Sequence, residues 1–469
     1  MLSFFPGGRL RRLALCGFWA AGILAAQEDL SLRYRDASKR IIDAALQDNA
    51  GLDRLAYLCD RIGNRVSGSQ ALENATAWAA AEMRRAGLQN VTTIPVAVPH
   101  WVRGEESAAM LLPLERPLVM LGLGNSVGTP PEGITADVVR AASFDEMAKL
   151  GRAGIAGKIL LLDVPYAGYG QTVVYRSSGP ARAAELGAVA VLVRSVTPHS
   201  LRSPHTGVTV YPATGPKIPG AAVTVEDAES ITRLLRAGNR VRVRLKMQAH
   251  MEADAPSADV FGDLPGAEKP DEVIVMGGHI DSWDVGQGAQ DDGSGIMATL
   301  EAASLLQKLG LRPRRTIRVA FWTNEENGGA GGRGYRDWLG SKVKQHVAAI
   351  EMDGGAEKLV GFGLSMGGRG QRIPDSVMAA VAGIGKLLEV IDGGSMTAGF
   401  GGSDIEPLMV AGVPGFGLRT VGTHYYDWHH TQADTFDKID PVEFRKNTAA
   451  LAVLSYVLAD MPVALSDLK

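Results

Sequence analysis

Apolar residues recur at helical spacing through the first part of the chain: Ile41, Ile42, Ala45 and Leu46, then Leu52, Leu55, Leu58 and Ile62. Residues 71–86 continue that period and stop at Gly87, a natural helix end. A strand-like run follows over 91–98. From about 110 to 249 the texture changes: short β-rich runs at 159–164, 188–193, 221–225 and 241–247 are separated by Gly- and Pro-rich loops. Helical patterns near 181–186 and 228–235 interrupt them, which predicts a compact, separate β-rich module. From 271 onward the two patterns alternate, with strands at 273–276, 316–322 and 347–352 and helices at 294–309, 335–345 and 448–458. Such alternation predicts an α/β domain with a mixed, mostly parallel sheet and helices on both faces.

Composition narrows the class. A 469-residue chain with 46% hydrophobic and 21% charged residues is ordinary for globular proteins, which excludes disorder and a multi-span membrane protein. A net charge of −3 without a long basic run argues against nucleic acid as a partner. The 57 glycines are about twice the usual share, so many positions need tight turns or close backbone approach. At the amino terminus, Arg9, Arg11 and Arg12 precede an apolar run over 13–26, which reads as a signal peptide at 1–26. It predicts a secreted or periplasmic protein, free of the membrane after signal removal; retention of the run as an anchor is the alternative. Cleavage there removes Cys16 and leaves Cys59 alone, so no internal disulfide is expected.

The candidate chemistry lies just after three of the predicted strands. The first loop holds His279, Asp281, Asp284, Asp291 and Asp292, the second Glu325 and Glu326, and the third Glu351 and Asp353. In open α/β sheets the carboxyl ends of strands form the ligand crevice, so these loops converge. They contain no Lys or Arg, and gathering so many like charges is unfavourable unless cations neutralise them. His279 supplies a nitrogen ligand, which favours zinc or a similar transition metal. A solvated acidic rim is the bland alternative, but it does not explain acids placed after buried strands. In the pair Glu325-Glu326, one carboxylate can hold a metal while its neighbour takes a proton from water. A second nitrogen ligand is expected from the segment around His429 and His430.

Two other motifs carry less weight. Gly363-Leu364-Ser365-Met366-Gly367 matches a nucleophile elbow with Asp404 and His430 downstream, but Gly368-Arg369-Gly370 leads toward Pro374 rather than into a helix. The run Gly329-Ala330-Gly331-Gly332-Arg333-Gly334 matches a dinucleotide fingerprint, with Asp353 about 20 residues on. Glu325 and Glu326 stand where they would repel a pyrophosphate, so these glycines are read as close packing beside the acidic loop.

At these residues the chain resembles the M28 family of co-catalytic metallopeptidases, most of all its carboxypeptidase Q-like branch. The resemblance is carried by Gly277-Gly278-His279-Ile280-Asp281-Ser282-Trp283-Asp284, Asp291-Asp292-Gly293-Ser294-Gly295, Asn324-Glu325-Glu326, Glu351-Met352-Asp353, Gly402-Ser403-Asp404 and His429-His430-Thr431-Gln432-Ala433-Asp434-Thr435. It implies two zinc ions bridged by Asp291, one held by His279 and Asp353 and the other by Glu326 and His430. Glu325 matches the general base that deprotonates water held between the metals, and Asp281 the partner that orients His279. Residues 110–249 resemble a protease-associated (PA) domain inserted into a discontinuous catalytic domain of 27–109 and 250–469. The implied substrate is a dipeptide or short peptide cleaved at one end, as by a carboxypeptidase, aminopeptidase or dipeptidase, and homodimerisation is implied too. Competing readings are a single-zinc acyl transferase of the glutaminyl-cyclase type and a receptor-like binding protein without catalysis. The family often has Ala where Asn324 stands, beside the base.

Overall fold

A computed structural model describes residues 29–367 and 371–468. The signal-peptide reading of 1–26 and the run Gly368-Arg369-Gly370 lie outside those residues. The chain forms two sheets of eight strands, joined by a short ribbon.

The larger sheet comprises β1 (Gln89–Val98), β2 (Ala255–Leu264), β3 (Lys269–His279), β4 (Arg315–Trp322), β5 (His346–Glu351), β6 (Leu359–Met366), β7 (Ser395–Ala398) and β8 (Pro414–Thr420), in the order β1-β2-β4-β3-β5-β8-β6-β7. Strands β4, β3, β5 and β8 run parallel, and their partners at either side, β2 and β6, run antiparallel to them. The fold class is therefore the mixed, mostly parallel α/β sheet that the alternation predicts. Helices α1 (Gln70–Arg85), α2 (Ser294–Lys308), α3 (Ala330–Leu339) and α4 (Pro441–Asp460) supply its layers. Helices α2 and α4 share one core with Ile274, Met276, Val319, Phe321 and Ile350, whereas Tyr335 and Leu339 of α3 pack with Val275, Ala320 and Trp322 in another. Successive residues of a strand point to opposite faces, so a sheet covered twice must be apolar on both, as the middle of β3 is. Among the described residues no helix is long and apolar enough to cross a membrane. Cys59 is buried and free.

Capping follows the sequence signals. Ser69 caps α1 by accepting from Leu72 N–H, and Gly87 beyond its end has φ +84°. The predicted helix at 335–345 is corrected: α3 starts at Ala330, ends at Leu339 and continues as a 3-10 turn to Gln345. Two of its helical positions are glycine because a side chain has no room there. A Cβ on Gly332 would lie 2.3 Å from the main-chain oxygen of Asp404, and one on Gly331 2.5 Å from Thr323. Ser365, the residue of the elbow motif, lies within strand β6 rather than on a strand-to-helix turn.

The second sheet is built entirely between Glu106–Leu112 and Arg242–Met247. It carries helices Phe144–Ile155, Tyr169–Ser177, Gly179–Glu185 and Val225–Arg236, so this module is α/β rather than β alone. The chain enters and leaves it through an antiparallel ribbon, Trp101–Val102 against His250–Met251. Trp101 and Trp283 meet edge to face with centroids 6.3 Å apart, which ties the module's core to the loop after β3.

His346, at the start of β5, is buried against the Tyr335 hydroxyl 2.9 Å from its Nε2. Burial foremost, with the nearby charge of Arg318, lowers its pKa from 6.5 to about 4. The unfolded chain therefore binds this proton first as pH falls below 6.5, and native stability is lost from there toward pH 4. Relative to His346→Gln, the wild type should lose about 2 kcal/mol between pH 7 and pH 5. Urea unfolding of both proteins at the two pH values checks this.

Candidate metal centre

Strands β3, β4, β5 and β8 end at one edge, with His279 opposite Trp322 and Gly277 opposite Glu351. The acidic loops consequently meet above that edge, and the segment after β8 brings His430 to them. Asp291 lies at the centre. Its Oδ1 is 3.2 Å from His279 Nε2, and its Oδ2 is 3.2 Å from His430 Nε2. Asp353 stands on the His279 side, 3.7 Å from the same nitrogen, and Glu326 on the His430 side at 2.9 Å. The five residues read as metal ligands are thus brought together, in two sets sharing one carboxylate. His279, Asp291 and Asp353 have candidate ligand atoms within 4.8 Å of one another, as do Asp291, His429 and His430. His429 stacks on His430 with centroids 3.5 Å apart and lies 3.6 Å from Asp291, whereas His430 also reaches Glu326.

The surrounding loops are fixed by carboxylates that accept main-chain N–H groups. Asp281 accepts from Glu325 N–H at 3.0 Å and Glu326 N–H at 3.3 Å, so it orients the second acidic loop. His279 Nδ1 lies 3.0 Å from the main-chain oxygen of Asp281 and 3.6 Å from its carboxylate. The ring is therefore faced on this side by both the carbonyl and the carboxylate of Asp281. Asn324, at φ +65°, turns its amide to Ser67 and Asn327 and accepts from Ala330 N–H, so it shapes the turn. Asp284 leaves the cluster to pair with Arg103 at 2.6 Å, and Asp292 accepts from Gly295 N–H. The peptide between Asp291 and Asp292 is cis.

Three supporting residues escape a sequence reading. Asp434 accepts from Ala289, Gln290 and Asp291 N–H groups at 3.1, 2.7 and 3.2 Å, which fixes the loop carrying the central carboxylate. Its signal was its place four residues beyond His430. Arg65, wholly buried, donates to the carbonyls of Gly63, Ile280, Gln287 and Gly288 and so braces the loop after β3. Asp259 on β2 accepts from Thr323 N–H at 2.9 Å. Nothing in the pattern around Arg65 or Asp259 announces either role.

Burial first, and then mutual repulsion, pushes Asp292, Glu325, Glu326 and Glu351 above the usual carboxylate range. Burial opposes the charged form of His279 and His430, yet the acids around them carry both well above an ordinary imidazole. Asp291 is driven the other way: burial would raise it, but the two imidazoles that face its oxygens hold it well below. His279 Nε2 and Asp291 Oδ2 are buried without a hydrogen-bond partner. Orphaned lone pairs of nitrogen and carboxylate oxygen, converging from two sides, fit divalent zinc.

This geometry and the chain's relatives agree. Residues 259–455 match the family model "Peptidase family M28", and the chain belongs to that family of metallopeptidases. It is 42% identical over 431 residues to carboxypeptidase Q of Xenopus laevis, covering 91% of this chain and 90% of that protein, and is thus a homologue of carboxypeptidase Q. The crystal structure of an M28 peptidase precursor from Shewanella amazonensis superposes with a TM-score of 0.89 at 32% identity, covering 94% of this chain and 99% of that one. A zinc aminopeptidase from Bacillus subtilis shares the fold at a TM-score of 0.62 and 20% identity, over 92% and 97% of the two chains.

Gly278 lies one residue before the end of β3, where its missing side chain makes room for the acidic cluster, because a Cβ there would lie 1.8 Å from Asp292 Oδ2. Gly278→Ala should therefore lower stability by about 1–3 kcal/mol, from overpacking against a buried carboxylate. Urea unfolding of the metal-free variant beside the wild type measures it.

Proposed function

We propose that the protein is an exported di-zinc exopeptidase that hydrolyses dipeptides or short peptides. The observation that carries this reading is the division of Asp291 between two ligand sets, His279 with Asp353 and His430 with Glu326. A single-zinc acyl transferase needs only one such set, and a binding protein without catalysis needs no base beside them. Export is supported by the basic and apolar pattern of residues 9–26.

Glu325, beside the ligand cluster, borders a cleft of about 920 Å³ between the two sheets. Glu325, Asn327 and Ser403 line it from the catalytic side, and Val208, Tyr211 and Lys217 from the insert, which supports the reading of that module as a PA domain. A cleft closed by two domains suits a short chain rather than a folded protein. Two zinc ions would lower the pKa of water and polarise the scissile carbonyl. The chain's own residues do the rest. Asp281 fixes the main chain of Glu325 and Glu326 together, so the base keeps its place beside the residue that would hold metal. Glu325, bordering the cleft, accepts the proton of the attacking water and returns it to the leaving amine.

Glu325→Gln should keep both zinc ions and lose about 100- to 10,000-fold in turnover. Metal content and kinetics on dipeptides, some blocked at the amino end and some at the carboxyl end, test this with and without chelator. Substantial activity in the variant, or chelator-resistant hydrolysis by the wild type, would contradict the reading.

A further inference from the structure

The insert reaches the metal centre directly. In one of its loops, Thr206 N–H donates to the main-chain oxygen of His430 at 3.0 Å, and Thr206 O lies 3.2 Å from His430 Nδ1. His430 needs this support, because its φ of +62° is a left-handed conformation that costs a non-glycine residue energy. The loop is itself anchored within the insert. Thr206 Oγ1 donates to Gly122 O at 2.7 Å, Gly124 N–H donates to Gly207 O at 3.0 Å, and Arg176 donates to Thr206 O at 3.0 Å.

The carbonyl also selects a tautomer. A carbonyl only accepts, so a bond to Thr206 O places the proton on Nδ1 and leaves the Nε2 lone pair facing Asp291 and Glu326. Arg176 Nη1 lies 3.2 Å from the same Nδ1 and can only donate, which calls for the opposite tautomer, with Nε2–H directed at Glu326. A cation on Nε2 is compatible with the first arrangement alone.

We propose that the insert is a working part of the metal centre: the main chain of Thr206 positions His430, so one cation site is complete only with the insert docked. Thr206 is a positioning residue here, and the proposal rests on the two-metal reading above. Substrate need not be present for the effect to be seen, since the insert acts on affinity for metal.

Two variants of the full chain test it, read by zinc titration against a competing chelator. Gly207 has φ +137°, and a Cβ there would lie 2.1 Å from Arg176 Cζ, so Gly207→Ala strains the loop and displaces the Arg176 guanidinium that anchors Thr206 O. Thr206→Val keeps the side chain's shape and removes only the hydroxyl's two hydrogen bonds, the one it donates to Gly122 O and the one it accepts from Arg103. The wild type should bind two zinc ions. Gly207→Ala should hold one with unchanged affinity and the other at least tenfold more weakly, as for loss of an outer partner of a metal-bound imidazole. Thr206→Val should weaken the same site about threefold. Wild-type affinity at both sites in either folded variant, or equal weakening of both sites, would overturn the proposal. If Gly207→Ala does not fold, Thr206→Val decides alone. Fewer than two zinc ions in the wild type would instead overturn the two-metal reading.

Discussion

A carboxylate buried between two imidazoles, with further carboxylates behind each, governs this structure. Asp291 meets His279 on one oxygen and His430 on the other, while Asp353, Glu326, Glu351 and Asp292 crowd the same volume. Removing that much negative charge from water is costly, and the guanidinium of Arg65 is spent on main-chain carbonyls rather than on these acids. Either protons or cations must make up the difference. Two divalent ions would do so while using the orphaned lone pairs of His279 and Asp291, which protons on the carboxylates would leave idle.

The architecture serves that requirement. Parallel strands bring several loops to a single edge, and aligned register sets Trp322 level with His279 and Glu351 level with Gly277. The loops are then tied by acids in a supporting role: Asp281 under the Glu325-Glu326 pair, Asp434 under Asp291, and Glu351 under Ser403 and Ile405. Each accepts main-chain N–H groups, so a single residue type both forms the site and fastens it. The insert adds the last constraint by holding His430 from the far side of the cleft.

Much of this was legible in the sequence because acidic loops after apolar strands have few structural explanations. Strands β3, β4 and β5 were readable from their unbroken apolar runs. Strand β2 was not, since Asp259 and Asp263 interrupt its pattern; both are buried, Asp259 accepting from Thr323 N–H through one oxygen and Asp263 pairing with Arg318. The glycines before Tyr335 do pack closely, as read, but against Thr323 and Asp404 from within helix α3, which therefore starts earlier than its apolar pattern indicates. The link from Thr206 to His430 spans 224 residues and runs through main-chain atoms, which leave no mark on side-chain pattern. Asp284 shows the opposite error: it sits in the acidic motif yet belongs to Arg103 at the domain junction.

The central claim is that Asp291 stands between two metal ions. Anomalous scattering from crystals of the zinc-loaded protein, collected above and below the zinc edge, tests it most directly. Two peaks are predicted, one within about 2.2 Å of each Asp291 oxygen, the first shared with His279 and Asp353 and the second with His430 and Glu326. A single peak, or peaks that leave Asp291 unligated, would contradict the account.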